Sequence, residues 1–453
     1  MEQSFATKSA FRFGYGFSPT ERDATDIDAL MAQLRGPDLG VAQFSGPMLD
    51  ERLAIQRAYQ QLRNTMKKGD ESVKPELKKA TRLRNRMRGD DTRHLFQRAM
   101  MDGQGFRERI AFFWMDHFTV IPKGRAGNAL WGNYIEEGLR PHIASSFGDL
   151  LVSAVTHPSM LIYLDQVKSF GPNSPVGKRK KQGLNENLAR EVLELHTMGV
   201  GGAYTQSDVR QLAELLTGLD FSKDGAKFSK RKAEPGAETV LGKTYGGDPA
   251  RRSHIESFLR DVARHPDTAR HITRKLAVHF VSDTPEQSLI DHMTQVFRNT
   301  DGDLPSVYGA MLDHPSAWEV LGQKTKQPFD FMVSSYRALG VTPQDFIEPP
   351  NGQINKRLIL PMQFMGQPLR KAPGPNGWPE EAEAWITPQG LAGRLQWCLS
   401  TTTRWGQELD PRDFIQTALR ELSGGTLKFA VAGAERRVEG LTLVLASPEF
   451  NRR

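Results

Sequence analysis

The chain has 453 residues, 38% hydrophobic and 25% charged, with a net charge of +7, enough to bury a large core in roughly two or three domains. Its single cysteine, Cys398, excludes an intramolecular disulfide, a cysteine zinc cluster and covalently attached haem. No stretch approaches the ~18 apolar residues of a membrane span, and the N-terminal residues show neither a leader pattern nor a twin-arginine pair, so cytoplasmic residence is the expectation.

Apolar residues recur at three- and four-residue spacing along most of the chain, and alternating runs are short. This predicts a mainly α fold, a multi-helix globular array with one small β-hairpin excursion. Residues 1–218 read as an N-terminal helical domain, 219–250 as the hairpin excursion, and 251–453 as a C-terminal helical region packed on the first. Residues 51–98 hold fourteen Lys or Arg against six acids. Such a basic arm can contact phosphates, but Tyr59 and Phe96 are its only aromatics, which leaves little to stack on bases; exposed basic helices are the plainer account, and nucleic acid is not the expected partner.

In "FRERIAFFWMDHFTV" (106–120), Phe106, Ile110, Phe113 and His117 recur at spacings of four, three and four, which turns His117 into an apolar helix face. A histidine there is either a hydrogen-bonded structural group or part of a site. Residues 168–184 read as a loop; Asp165 just before it, with Asn173, Ser174 and the run Lys178-Arg179-Lys180-Lys181 within it, can rim a pocket for a polar or anionic ligand, or simply be solvated.

Asn185 can cap a helix running from Glu186 to Met198, closed by Gly199 in the left-handed region. Leu184, Leu188, Val192 and Leu195 form its core arc. Glu186 and Arg190 fall opposite as an i,i+4 surface pair. Asn187, Glu191 and Glu194 line one flank, and Glu191 projects between Leu195 and Met198. A carboxylate there needs a partner, a proton or a metal. Thr205 caps a second helix with Asp208 at its third position; Val209, Leu212, Ala213 and Leu216 are its core face, and Gly218 ends it. Asp208 is accounted for equally well by that helix N-terminus.

Turn signals in 219–247 mark the hairpin region. "GAETVLGKT" (236–244) imitates a phosphate-binding loop but has one residue too many between its glycines and no following helix, so that role is rejected. Thr284-Pro285-Glu286-Gln287 predicts a helix start, and Asp303 in "TDGDL" reads as a cap rather than a calcium ligand. "HPSM" (157), "HPDT" (265), "HPSA" (314) and "SPEF" (447) each follow a helical run, and their His or Ser reads as helix punctuation rather than metal ligation.

The site expectation follows from these faces. His117 meets Glu191 as an acid–base dyad, or His117, Glu191 and Glu194 surround a divalent metal, with Zn, Mn and Fe all suited to imidazole and carboxylate donors. Neither HExxH nor the ExxH pair of di-iron bundles is present to specify a metal.

The motifs "FWMDHFTV", "HPSMLIYLDQ", "NENLAREVLELHTMGVGGAYTQSDVRQLAELLTGL", "KLAVHFVSDTP", "TDGDL" and "GQPLRKAPGPNGWP", in this order, resemble the bacterial family catalogued as domain of unknown function number eighteen hundred, from about residue 9 onward. The pattern resembles Trp114, Asp116 (Asp or Asn in the family), His117 and Phe118, then Asn185, Glu186, Asn187, Arg190, Glu191, Glu194, Tyr204, Thr205 and Asp208. Candidate ligand-binding positions are Asp165, Asn185, Asn187, Arg190, Tyr204 and Asp208. The resemblance implies no established activity. It does imply a frequent neighbour, an exported sulfatase-like protein with a twin-arginine signal. Two functions therefore stand: an enzyme with its site between the 106–120 helix and the 185–218 pair, or a non-catalytic helical partner or carrier of that sulfatase-like protein, with periplasmic co-export left open.

Overall fold

Helix boundaries follow local chemistry. The Nδ1 atoms of His157, His265 and His314 accept the backbone N–H of Ser159 (3.1 Å), Asp267 (3.2 Å) and Ser316 (3.3 Å), and Ser447 Oγ accepts that of Phe450 (3.2 Å). All four are caps ahead of a proline, as their sequence context predicts. Thr205 and Asp208 form a reciprocal capping box, Asp303 caps its helix through Ser306, and Gly199 is left-handed at φ +84°. Thr284 departs from expectation: the helix begins only at Gln287, and the capping residue Glu286 makes no side-chain bond to it.

The computed structural model describes residues 3–180, 183–222, 225–319, 321–347 and 350–453. The chain is mainly α. The basic arm is an antiparallel pair, α1 (Leu49–Lys67) and α2 (Lys74–Ala99). Next comes α3 (Gly105–His117), buried on nearly every side. The motif helix α4 (Asn187–Glu191) continues as a π turn over Val192–His196, where a straight α-helix from Glu186 to Met198 is expected. Asn185 sits one residue too early to be its cap residue, and its Oδ1 accepts the Asn187 N–H at 3.0 Å. Further helices include α5 (Gln206–Leu216), α6 (Pro266–Phe280) and α7 (Pro388–Trp405).

Among the described residues the strands form two hairpins rather than one. β1 (Leu219–Ser222) pairs with β2 (Gly225–Phe228), and β3 (Gly236–Val240) with β4 (Lys243–Gly247). The second turns on Leu241 and Gly242 at φ +51° and +74°, the two positive φ values of a tight type I′ turn. That turn is what the phosphate-loop look-alike encodes.

Two cores form. One joins Phe13, α3, α4, α5, both β3 and β4 and α6 through Ala317; the other joins Phe11, Tyr15, Phe17, the end of α2 and residues 321–450. α3 contributes Phe106, Ile110, Phe113 and Trp114 to the first and Phe112 to the second, and Met115 packs against both. The C-terminal end of α3 is thus where the cores meet. No helix among the described residues is long and apolar enough to cross a membrane.

Candidate active site

His117 is 1% exposed, as the apolar spacing of α3 predicts. Its Nε2 lies 3.2 Å from the His196 carbonyl, and His271 Nε2 lies 3.2 Å from the Leu195 carbonyl. Both carbonyls belong to the end of the π turn, where a helix leaves its last acceptors unsatisfied. A carbonyl only accepts, so each ring must carry its proton on Nε2. That leaves His117 Nδ1 as a buried acceptor, and it has no partner among the described residues. The ring centres of His196 and His271 lie 6.1 and 6.4 Å from that of His117. Burial, then the Lys275 ammonium, holds all three imidazoles neutral: His117 well below its usual value, His196 at about 3 and His271 at about 4.

Asp116 occupies the adjacent position. The Trp378 N–H reaches both its oxygens, at 3.0 and 3.1 Å. This approach requires a glycine next door: a Cβ on Gly377 (φ +81°) would stand 2.6 Å from Asp116 Oδ2. The Asp116 carboxyl is pushed up to about 7 because burial, helped by the Glu380 charge, outweighs Lys275, the Trp378 N–H and Thr119. Lys275, on α6, is half-buried and its ammonium is shifted down by burial, with Asp116 and Glu380 opposing. It has no carboxylate within 4 Å among the described residues. Glu380 is otherwise engaged, 2.6 Å from His279 Nδ1 and 2.9 Å from Lys324, and these two partners hold it at about 2 despite burial. Asp116 opens onto a cavity of about 40 Å³ lined also by Thr119, Tyr134, Gln367, Arg370 and Trp378. That volume holds two or three waters or the reactive end of a larger molecule.

Glu191 is half-buried, as predicted from its flank position, and its carboxyl is shifted up by burial and then by Glu194, with Arg190 opposing. It faces Tyr163, whose phenol is pushed up to about 12 by burial and by Glu191. Glu194 pairs with Arg190 at 3.1 Å; Arg190 also reaches Glu186 (3.4 Å) and Gln206 (3.0 Å). The expected metal set is not assembled: among the described residues no group of three or more His, Cys, Asp or Glu side chains is positioned to hold a metal ion. The titratable groups that act on His117 are Lys275 and the imidazoles of His196 and His271, while those that act on Glu191 are Glu194 and Arg190.

The other predicted ligand residues have structural partners. Asp165, left-handed at φ 57°, is held by Lys123 (2.9 Å) and Lys168 (2.7 Å). Asn185 ties the preceding loop through the Leu164 carbonyl and Ser169 Oγ, both at 3.1 Å. Asn187 is exposed. Tyr204 is half-buried, with its phenol raised by burial and by Glu194. Asp208 holds the Thr205 N–H (2.8 Å) and, across a gap in sequence, the Leu241 N–H of the second hairpin (2.7 Å). In the loop, Asn173 Nδ2 donates to Glu234 and Ser174 Oγ accepts the Gly177 N–H; Lys181 lies outside the described residues.

The family model for proteins of unknown function DUF1800 matches residues 9–452. The chain belongs to the DUF1800 family. No curated protein and no solved structure matches it. In this DUF1800 protein the motifs converge: "FWMDHFTV" supplies Asp116 and His117, the 185–219 motif His196, "KLAVHF" Lys275 and His279, and "GPNGWP" Gly377 and Trp378. Sequence reasoning missed Asp116, His196, His271 and Lys275 as site residues. The available signal was the placement of Asp116 beside the inward-facing His117 and the Gly-Trp pair far downstream.

Proposed function

We propose that this DUF1800 protein is an enzyme of general acid–base chemistry in which Asp116 is the proton-transferring group, with Lys275 and the neutral imidazole of His117 beside it. The observation that carries this is the Asp116 carboxyl itself, half-buried and lining a cavity, with one backbone N–H shared between its two oxygens and its proton affinity raised by burial, a setting in which a carboxyl can give and take a proton. Lys275, without a direct ion pair, supplies a positive charge for an anion that develops during the reaction. The three neutral imidazoles add no charge around Lys275. Glu191, Glu194, Arg190 and Tyr204 form a shallower polar face that serves as a second candidate for substrate contact.

The test is a carboxyl titration of the full chain by ¹³C NMR, with Asp116→Asn as the assignment control. A resonance with its midpoint near 7 that vanishes in Asp116→Asn supports the reading; an Asp116 midpoint below about 5 removes it. Screening small esters and phosphoesters at neutral pH should then give turnover that Asp116→Asn abolishes.

A separate observation favours a second reading, a helical partner of the sulfatase-like neighbour, co-exported with it. Leu391, Leu395 and Leu399 on α7 are 39, 49 and 47% exposed, and their four-residue spacing makes one apolar stripe of the kind found at protein interfaces. Co-purification of the two proteins, lost on changing Leu395 and Leu399 to Glu, would support it; a chain that stays alone in the presence of that protein would count against it.

A further inference from the structure

A wider cleft of about 800 Å³ adjoins the Asp116 cavity, and Leu369 and Arg370 line both. Its charged lining residues are Arg88, Arg370 and Lys371, and no aspartate or glutamate lines it. Arg88 and Lys371 are exposed and have no carboxylate within 4 Å among the described residues.

Arg370 is built in. Its backbone is left-handed at φ +67°, a conformation that L side chains rarely adopt. Its guanidinium lies 4.2 Å over the Trp131 ring, and Nη2 donates to the Arg88 carbonyl (2.9 Å) and Thr92 Oγ1 (3.4 Å). The side chain is 9% exposed, yet Nε has no hydrogen-bond partner among the described residues. The nearest carboxylate, Asp91, lies 3.7 Å from Nη2 because Arg52 already binds both Asp91 oxygens, at 2.7 and 3.2 Å. A stacked, fixed guanidinium with an unused donor is a planar fork for a carboxylate or phosphate. Ile121 and Leu369 add apolar wall, and Asn128 an amide.

We infer that this cleft binds a small organic anion, a carboxylate or phosphomonoester, with its charged group on Arg370, Arg88 and Lys371 and the rest of the molecule directed toward Asp116. The cleft chemistry stands independently; only the orientation toward Asp116 rests on the acid–base reading above. A pocket lined by one sign of charge also concentrates such a ligand before contact.

Isothermal titration of the full chain with phenyl phosphate, benzoate and uncharged benzyl alcohol tests this. One-to-one binding of phenyl phosphate or benzoate is expected, with none for benzyl alcohol; the tighter of the two anions identifies the head group. Arg370→Gln should weaken binding by about tenfold or more, the effect of losing a charged hydrogen bond. Arg88→Ala and Lys371→Ala, at exposed positions where folding is not at stake, should each weaken it severalfold and lessen its salt dependence. Failure of wild type to bind either anion at millimolar concentration overturns the inference, as does equal binding of benzyl alcohol or unchanged affinity in both exposed variants. Asp116→Asn should retain anion binding. Loss of the Asp116 titration with anion binding intact therefore ends only the acid–base reading, and the reverse result ends only this one.

Discussion

Asp116 holds its proton because the surroundings withhold what an ionised carboxylate needs: one backbone N–H is shared between two oxygens, and the nearest ammonium stops short of an ion pair. Unfolded, the group releases its proton near its ordinary value of 3.8; folded, at about 7. Between these values the folded chain keeps a proton that the unfolded chain has lost, so Asp116 favours folding at low pH, and this contribution disappears as pH rises through 7. Asp116→Asn should therefore show a smaller loss of stability between about pH 5 and 8 than wild type in urea denaturation; parallel curves would refute the shift. The neighbouring imidazoles act in the opposite sense, since His196 and His271 resist protonation and their contribution is lost as pH falls below 6.5 toward about 3 and 4. Comparing variant with wild type isolates the carboxyl. None of this was visible in the sequence, where Asp116 is one polar residue on a helix end and its raised proton affinity comes from burial and from Glu380, some 260 positions away.

Among the elements, what was legible was local. A cap needs one side chain and an amide two or three residues on, so Thr205–Asp208, Asp303 and the histidines before proline could be read directly. The motif helix shows where that reasoning stops. A straight α-helix directs Leu195 into the core and sets His196 at its edge; the π turn over Val192–His196 accommodates an extra residue, and His196 is 0% exposed while Leu195 is only partly buried. Periodicity assumes a constant advance per residue, and a π turn breaks it. The second hairpin makes a further prediction. Its strand β3 faces α5 through Glu238, whose carboxyl is pushed up to about 7 by burial and by Glu214, with which it shares a hydrogen bond. A raised carboxyl favours the docked hairpin at low pH and ceases to do so above 7. Amide exchange at Thr239 and Leu241 should accelerate, relative to buried core amides, as pH passes 7, and Glu238→Gln should remove that step.

At the scale of the molecule, buried arginines tie the basic arm to the cores. Arg52 on α1 meets Asp91 on α2 at 2.7 Å, Arg98 meets Glu136 at 2.8 Å, and Arg140 meets Glu108 at 2.6 Å and Asp38 at 2.8 Å. Much of the positive charge that makes the arm look like a phosphate-binding surface lies on exposed faces, yet two of its arginines are these internal ties. Removing one partner leaves the other charged and buried, so Asp91→Ala should destabilise the chain by about 3–5 kcal/mol in urea denaturation. Gly132→Ala should also destabilise it, because its Cβ would fall 2.2 Å from Asp91 Oδ1.

The second core also has a history in time. Phe11, Tyr15 and Phe17 share this core with residues between 321 and 450, which are synthesised about 300 or more positions after them. At synthesis rates of about 5–20 residues per second, these aromatics wait on the order of tens of seconds for the surface that covers them. The end of α3, wedged between the two cores, is completed only then. During translation the nascent chain therefore presents an uncovered aromatic segment and an unfinished meeting of the two cores, a stage at which a chaperone holding Phe11, Tyr15 and Phe17 would protect both.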